Sequence, residues 1–157
     1  MTISQNGWTA SSDRASIGVK NYLVDGCHAY FAVATAAAPL LIAFAEYFNA
    51  HIEPLDGHVW DEWGYNYKAI PNSTILSNHA SGTAIDLNAT KHNWGTANTF
   101  TIEQSKLIRA ECSRLGLRWG GDYKTKIDEM HVEVNITAQA AHALIGKLAL
   151  PMPKLKG

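Results

Sequence analysis

Two short alternating stretches constrain this chain more than anything else in it. Thr83 to Asn88 reads as a strand with Ala84, Asp86 and Asn88 on one face and Thr83, Ile85 and Leu87 on the other. Met130 to Val134 reads the same way, with His131 and Glu133 opposite Met130, Val132 and Val134. A carboxylate set between Ile85 and Leu87 is costly to bury unless it is paired or bound to a metal. If the two strands are neighbours, Asp86 and His131 face one pocket, and His79 enters it from the loop ahead of its strand. Two imidazoles and one carboxylate, with a further carboxylate nearby, are the parts of a catalytic zinc site: three protein ligands, an open position and a base.

The longer motifs are Ser77-Asn78-His79-Ala80-Ser81-Gly82-Thr83-Ala84-Ile85-Asp86 and Asp128-Glu129-Met130-His131-Val132-Glu133. Written as Ser-x-His-x-x-Gly-x-Ala-x-Asp followed by Asp-x-x-His, they resemble the VanY-like zinc peptidases. That family groups D-alanyl-D-alanine carboxypeptidases and dipeptidases with the L-alanyl-D-glutamate endopeptidases of phage endolysins. The resemblance implies Zn2+ as cofactor, His79, Asp86 and His131 as its ligands, and Asp128 as general base. Leu117-Arg118-Trp119-Gly120-Gly121-Asp122-Tyr123 is similar to the family's Trp-Gly-Gly-Asp-Trp segment, with Tyr123 replacing the second Trp. Gly64-Tyr65-Asn66-Tyr67-Lys68 resembles a segment that ends in an Arg holding substrate and stabilising the oxyanion. Lys68 keeps that charge but lacks the planar fork of a guanidinium. Ser77, Trp119, Asp122, Tyr123 and Glu133 are the remaining candidates for contact with a ligand or with substrate; Glu133 shares a strand face with His131. Glu129 competes with Asp128 for the role of base, but projects elsewhere if Asp128 faces the metal.

The resemblance spans roughly Pro39 to Leu150 and implies hydrolysis of peptidoglycan stem peptides. The expected cut is the L-Ala–D-Glu bond, made by a phage endolysin-type lytic enzyme. The alternatives are a D-Ala-D-Ala carboxypeptidase and, in a different class, a non-catalytic zinc module that binds cell wall. A serine hydrolase is disfavoured because Ser77, His79 and Asp86 lie in one segment and no Gly-x-Ser-x-Gly elbow exists. The helical His-Glu-x-x-His motif is absent too.

At 157 residues the chain is long enough for one domain with a real core. Charged residues are sparse and the net charge is −1, so no basic stripe suggests nucleic acid, and a grip on a polyanion is not expected. Five Trp and six Tyr, several of them between Leu55 and Pro71, suit contact with an extended peptide or sugar. No secretory leader is visible at the N-terminus. The expectation is a monomer made in a host cytoplasm that acts on the wall after release, without inserting into membrane. Ala29 to Ala45 is uncharged but too short for a span and holds Pro39. Cys27 and Cys112 make no metal-type spacing; Cys112 reads as a buried thiol, and pairing with Cys27 stays open. His28, His51, His58, His92 and His142 lack partners at ligand spacing.

The expected fold is α+β, with helices packed on a small, mostly antiparallel sheet that carries the zinc site. Residues 1–28 are an arm or loop, with one short strand near Gly18 to Val24. Residues 29–150 form the peptidase domain, and 151–157 a tail. A strand from Ala29 to Ala34 leads to a helix from Ala38, with Pro39 in its first turn. His51 to Glu53 starts a strand that Pro54 stops. A capping box at Thr101 to Gln104 opens a helix burying Leu107, Ile108, Cys112 and Leu115. A last helix runs from Thr137 to Leu148.

Overall fold

In a computed structural model, which describes residues 1–56 and 59–157, the fold centres on the helix that Pro39 opens. This helix, α1 (Ala38–His51), is apolar nearly all round and buries Leu40, Leu41, Ile42, Phe44 and Phe48. A helix of that pattern is stable only inside a core. It packs between two antiparallel sheets and against both other helices. The first sheet pairs β1 (Val19–Leu23) with β2 (Tyr30–Ala34). The second has the order β3 (Ala84–Asp86), β5 (His131–Val134), β4 (Leu117–Trp119). The α2 helix (Ile102–Arg114) and α3 (Ala138–Leu148) flank these sheets. The architecture is the α+β single domain expected, with two sheets rather than one.

In the second sheet Asp86 stands directly opposite His131, and Ala84 opposite Glu133. The alternation read from the sequence therefore puts Asp86 and His131 side by side across one ladder. On its other edge β3 is bridged by Trp63, whose N–H donates to the Asp86 carbonyl at 3.0 Å and whose carbonyl accepts from the Asp86 N–H at 2.8 Å. Asp86 is thus fixed from both sides before its carboxylate is considered.

Several expectations need correction. No strand starts at His51: α1 continues through that residue, and the Glu53 N–H still bonds the Phe48 carbonyl. The capping box at Thr101 and Gln104 is complete, but Leu107 is exposed and Glu111 takes its place on the buried face, paired with Arg114. The two chain ends are bonded to the rest of the fold. Ser4 bonds Ser81, Asn6 bonds Asn78 and Thr83, and the Trp8 indole donates to the Ile136 carbonyl. The C-terminal segment runs antiparallel to β1, with the Leu23 N–H on Lys154 and the Lys156 N–H on Asn21. Cys27 and Cys112 are both free thiols, and burial pushes the Cys112 thiol far up. No described helix is long and apolar enough to cross a membrane.

Candidate metal centre

His79 lies on a single turn of 3-10 helix (Asn78–Ser81) that the Ser77 side chain caps by accepting the His79 N–H. Gly82 ends the turn in the left-handed region at φ +69°, and a Cβ there would lie 2.6 Å from the Ala34 nitrogen. Only glycine fits both the angle and the space. This explains the fixed offset between His79 and Asp86: turn, glycine, strand.

The three side chains converge. His79 Nε2, His131 Nδ1 and an Asp86 oxygen all lie within 4.8 Å of one another, and all three residues are buried. Individual separations are 3.2 Å between the two ring nitrogens, 3.1 Å from His131 Nδ1 to Asp86 Oδ1, and 3.3 Å from His79 Nε2 to Asp86 Oδ2. The outer ring nitrogens decide what these distances mean. His79 Nδ1 sits 2.8 Å from the Gly64 carbonyl, which can only accept, so that nitrogen carries the proton. His131 Nε2 sits 2.6 Å from Glu133 Oε1 and donates to it. With both protons outside, two imidazole lone pairs and a carboxylate face one point. Such a set is held together by positive charge at that point, either a metal ion or a proton on an inner nitrogen.

The charges follow the same geometry. Burial works against the charge of Asp86, yet His79 beside it and the hydrogen bonds of both imidazoles hold it well below the usual carboxylate range. Burial likewise opposes a charge on His131, but Asp86 and Glu133 outweigh it and push its pKa up to about 10. Glu133, also buried, is held down to about 2 by His131 and by the Tyr123 hydroxyl, which donates to Oε1 at 2.7 Å. Two acids and two imidazoles thus make a buried pocket that draws positive charge. A His–Asp–His donor set with outer partners on each ring suits Zn2+.

Asp128 lines the same cleft, and its Oδ1 is buried with no hydrogen-bond partner. Burial and the Asp86 charge raise its pKa to about 6, against the pull of His131, His79 and Lys68. Glu129, its competitor, is turned away and accepts from Asn98 and Thr99. Lys68 is exposed on the cleft wall, and Ser77 lines the cleft as well. Tyr123 reaches the centre through Glu133. Trp119 is buried in the core, its indole on the Glu129 carbonyl, and does not line the cleft. Asp122 is a correction: it pairs with Arg109 at 2.8 Å on the surface and touches no ligand. Among the other histidines, His92 is buried between Glu53 and Thr99 and stacked on Phe100. His28 is exposed beside Asp56, His51 and His142 are exposed, and His58 lies outside the described residues.

The cleft, about 780 Å³, also contains side chains that the sequence motifs did not single out: Arg118, Lys124, Lys126, Trp63 and Trp94. With Lys68 they give it four cationic side chains. The even charge of the whole chain therefore does not describe this surface, where the four cations stand beside Asp86, Asp128 and Glu133. Arg118 had one sequence signal: Leu117 and Trp119 are core residues on one strand face, so Arg118 projects from the other, opposite Glu133.

A family model described as D-alanyl-D-alanine carboxypeptidase matches residues 71–134. No curated protein and no solved structure matches the chain. The matched segment holds His79, Asp86, Asp128, His131 and Glu133. Over those residues the chain is similar to that family, and the converging donor set lies inside the matched segment.

Proposed function

We propose that the protein is a zinc-dependent endopeptidase that cuts the L-Ala–D-Glu bond of peptidoglycan stem peptides, in the manner of a phage endolysin. The observation that carries the peptidase reading is the convergence of His79, Asp86 and His131, each ring locked with its lone pair inward, beside a buried Asp128 oxygen that lacks a partner. Zn2+ held by these three residues would supply Lewis acidity and a water whose pKa is lowered toward ~7.

The rest is work for the chain's own groups. Asp128, a carboxylate above about pH 6, accepts the proton of the attacking water at its unpartnered oxygen and passes it to the leaving amine. Glu133 keeps the His131 ring oriented, and the Gly64 carbonyl does the same for His79. The Lys68 ammonium faces the charge that develops on the peptide oxygen. Trp63 and Trp94 flank the bound chain.

Support for an internal cut comes from the size of the cleft: about 780 Å³ has room for several residues, more than a terminal D-Ala needs. The second reading, a carboxypeptidase, is favoured by the description of the matching family. Mass spectrometry of purified wall after digestion separates them. New N-terminal D-Glu ends are expected; release of D-Ala alone selects the carboxypeptidase. Asp128→Ala should keep zinc and lose on the order of 10²–10⁴ in rate. Full activity in that variant rejects Asp128 as base, and no fragments from any wall type would leave a wall-binding module. An enzyme of this kind acts on the wall as a monomer after leaving the host cytoplasm, which is part of the same proposal.

A further inference from the structure

Four of the chain's 13 Lys and Arg residues, Lys68, Arg118, Lys124 and Lys126, line the one cleft that holds the metal centre. Among the described residues none of the four is in an ion pair. Three cations outside the cleft do pair with acids, Lys106 with Glu103, Arg109 with Asp122 and Arg114 with Glu111. Two of the four cleft cations lie over aromatic rings instead. The Arg118 guanidinium lies 4.8 Å from the centroid of Tyr123, and the Lys126 ammonium 4.5 Å from that of Trp94. A ring holds a cation in place without neutralising it. Of the cleft acids, Glu133 is the cross-strand neighbour of Arg118, but its Oε1 is bonded to His131 and Tyr123 rather than to the guanidinium. The wall formed by Arg118 and the 124–126 segment keeps its charge.

We propose that Arg118, with Lys126 and Lys124, is the specificity wall of the cleft and binds a free carboxylate on the substrate: the α-carboxylate of the D-Glu residue. This rests on the peptidase reading above and adds to it the feature of the substrate that is selected. In a stem peptide D-Glu is linked through its side chain, so its α-carboxylate stays free beside the bond to be cut. A planar guanidinium matches a carboxylate with two parallel N–H donors, and an aromatic platform fixes the plane in advance. Amidation of that carboxylate, giving D-isoglutamine, removes the charge while keeping the shape. The wall therefore discriminates acid from amide forms of the same wall peptide.

The test uses two tetrapeptides, L-Ala-γ-D-Glu-L-Lys-D-Ala and its D-isoglutaminyl counterpart. Binding is read from tryptophan fluorescence on zinc-loaded Asp128→Ala protein, since Trp94 lies under Lys126 in the cleft. Turnover is read on the zinc-loaded unmodified chain. The acid peptide should bind about tenfold more tightly, as one charge-assisted contact does, with the difference in KM rather than kcat. Arg118→Gln should reduce that ratio to within about twofold of unity, Lys126→Gln should reduce it partly, and Arg118→Lys should restore part of it. Arg118 is exposed, so its loss leaves the core intact. Equal binding of the two peptides, or a ratio that survives in Arg118→Gln, overturns the proposal. A binding preference without any cleavage supports the wall and rejects the peptidase; cleavage of both peptides with equal KM supports the peptidase and rejects the wall.

Discussion

Glu133→Gln tests the metal centre without touching a ligand. Glu133 Oε1 accepts two hydrogen bonds, 2.6 Å from His131 Nε2 and 2.7 Å from the Tyr123 hydroxyl, and its acidity is raised by both. Glutamine has the same volume, and its amide oxygen can still accept both bonds, so only the charge is lost. A hydrogen bond to a charged group contributes about 1.5–3 kcal/mol and a neutral one about 0.5–1.5. The bond to His131 weakens by about 1–1.5 kcal/mol, and the weaker Tyr123 bond loosens the group behind it, for about 2 kcal/mol in how firmly His131 is held with its Nδ1 inward. That corresponds to roughly a 30-fold loss of zinc affinity, within the 10–100-fold usual for residues behind a metal ligand. Competition with a chromophoric zinc chelator at pH 7.5 measures it, with circular dichroism to show an unchanged fold. Tyr123→Phe alone should cost less. Added to Glu133→Gln it should cost almost nothing more, because the hydroxyl reaches the centre only through that carboxylate. Zinc binding by Glu133→Gln within twofold of the unmodified protein, or additive losses in the double variant, would refute the locked-ring argument.

Three further outcomes follow from the geometry. The pKa of Asp128 is raised to about 6 by burial and Asp86, and the base must be ionised, so kcat/KM should fall as pH drops through about 6 or slightly below, since a bound cation lowers it; a rate–pH profile without an acid limb removes Asp128 as base. Gly64→Ala would set a Cβ 2.2 Å from the Ala32 carbonyl oxygen, so thermal unfolding should show a loss of about 1–3 kcal/mol, with weaker zinc binding as the carbonyl behind His79 shifts; an unchanged Tm and affinity would count against it. Asn6→Ala removes the side-chain bonds to Thr83 and to the buried Val134 carbonyl, and should cost about 1–3 kcal/mol in chemical denaturation; a loss under 0.5 kcal/mol would mean the N-terminal arm is only draped on the domain.

What could be read in advance was whatever depended on side-chain identity at strand or turn spacing. Asp86 between two aliphatic residues, and His131 two positions from Glu133, put these side chains on one sheet face because a strand has a strict period of two. Thr101 and Gln104 announced their helix because a capping box needs those residue types. Leu107 failed for the opposite reason: several residues of α2 satisfy a helical stripe, and tertiary packing chose Glu111 over it. The β4 strand, Leu117–Trp119 between Gly116 and Gly120, offers one polar position between two apolar ones, which does not separate a strand from a loop. The anchoring of the chain ends left no sequence signal, because the anchors are Ser, Asn and backbone groups, which look the same in a loop and in a strap.

The missing parts of the site are of a different kind, and they set what the sequence of such a centre can disclose. The group that fixes His79 is the carbonyl of Gly64, and every residue has a carbonyl. What distinguishes position 64 is the absence of a side chain, needed because β2 passes so close that a Cβ would strike Ala32. A glycine in a loop has many explanations until the neighbouring strand is known. Charge behaves similarly. A net charge of −1 averages over the whole surface, whereas binding depends on local uncompensated charge. Lys68 is fifty residues from Arg118, and only the fold brings their segments to one cleft while acids elsewhere absorb Arg109 and Arg114. A ligand set can therefore be inferred from chemistry at fixed spacing. The selectivity of the same site cannot, because it is created by which charges the fold leaves unpaired.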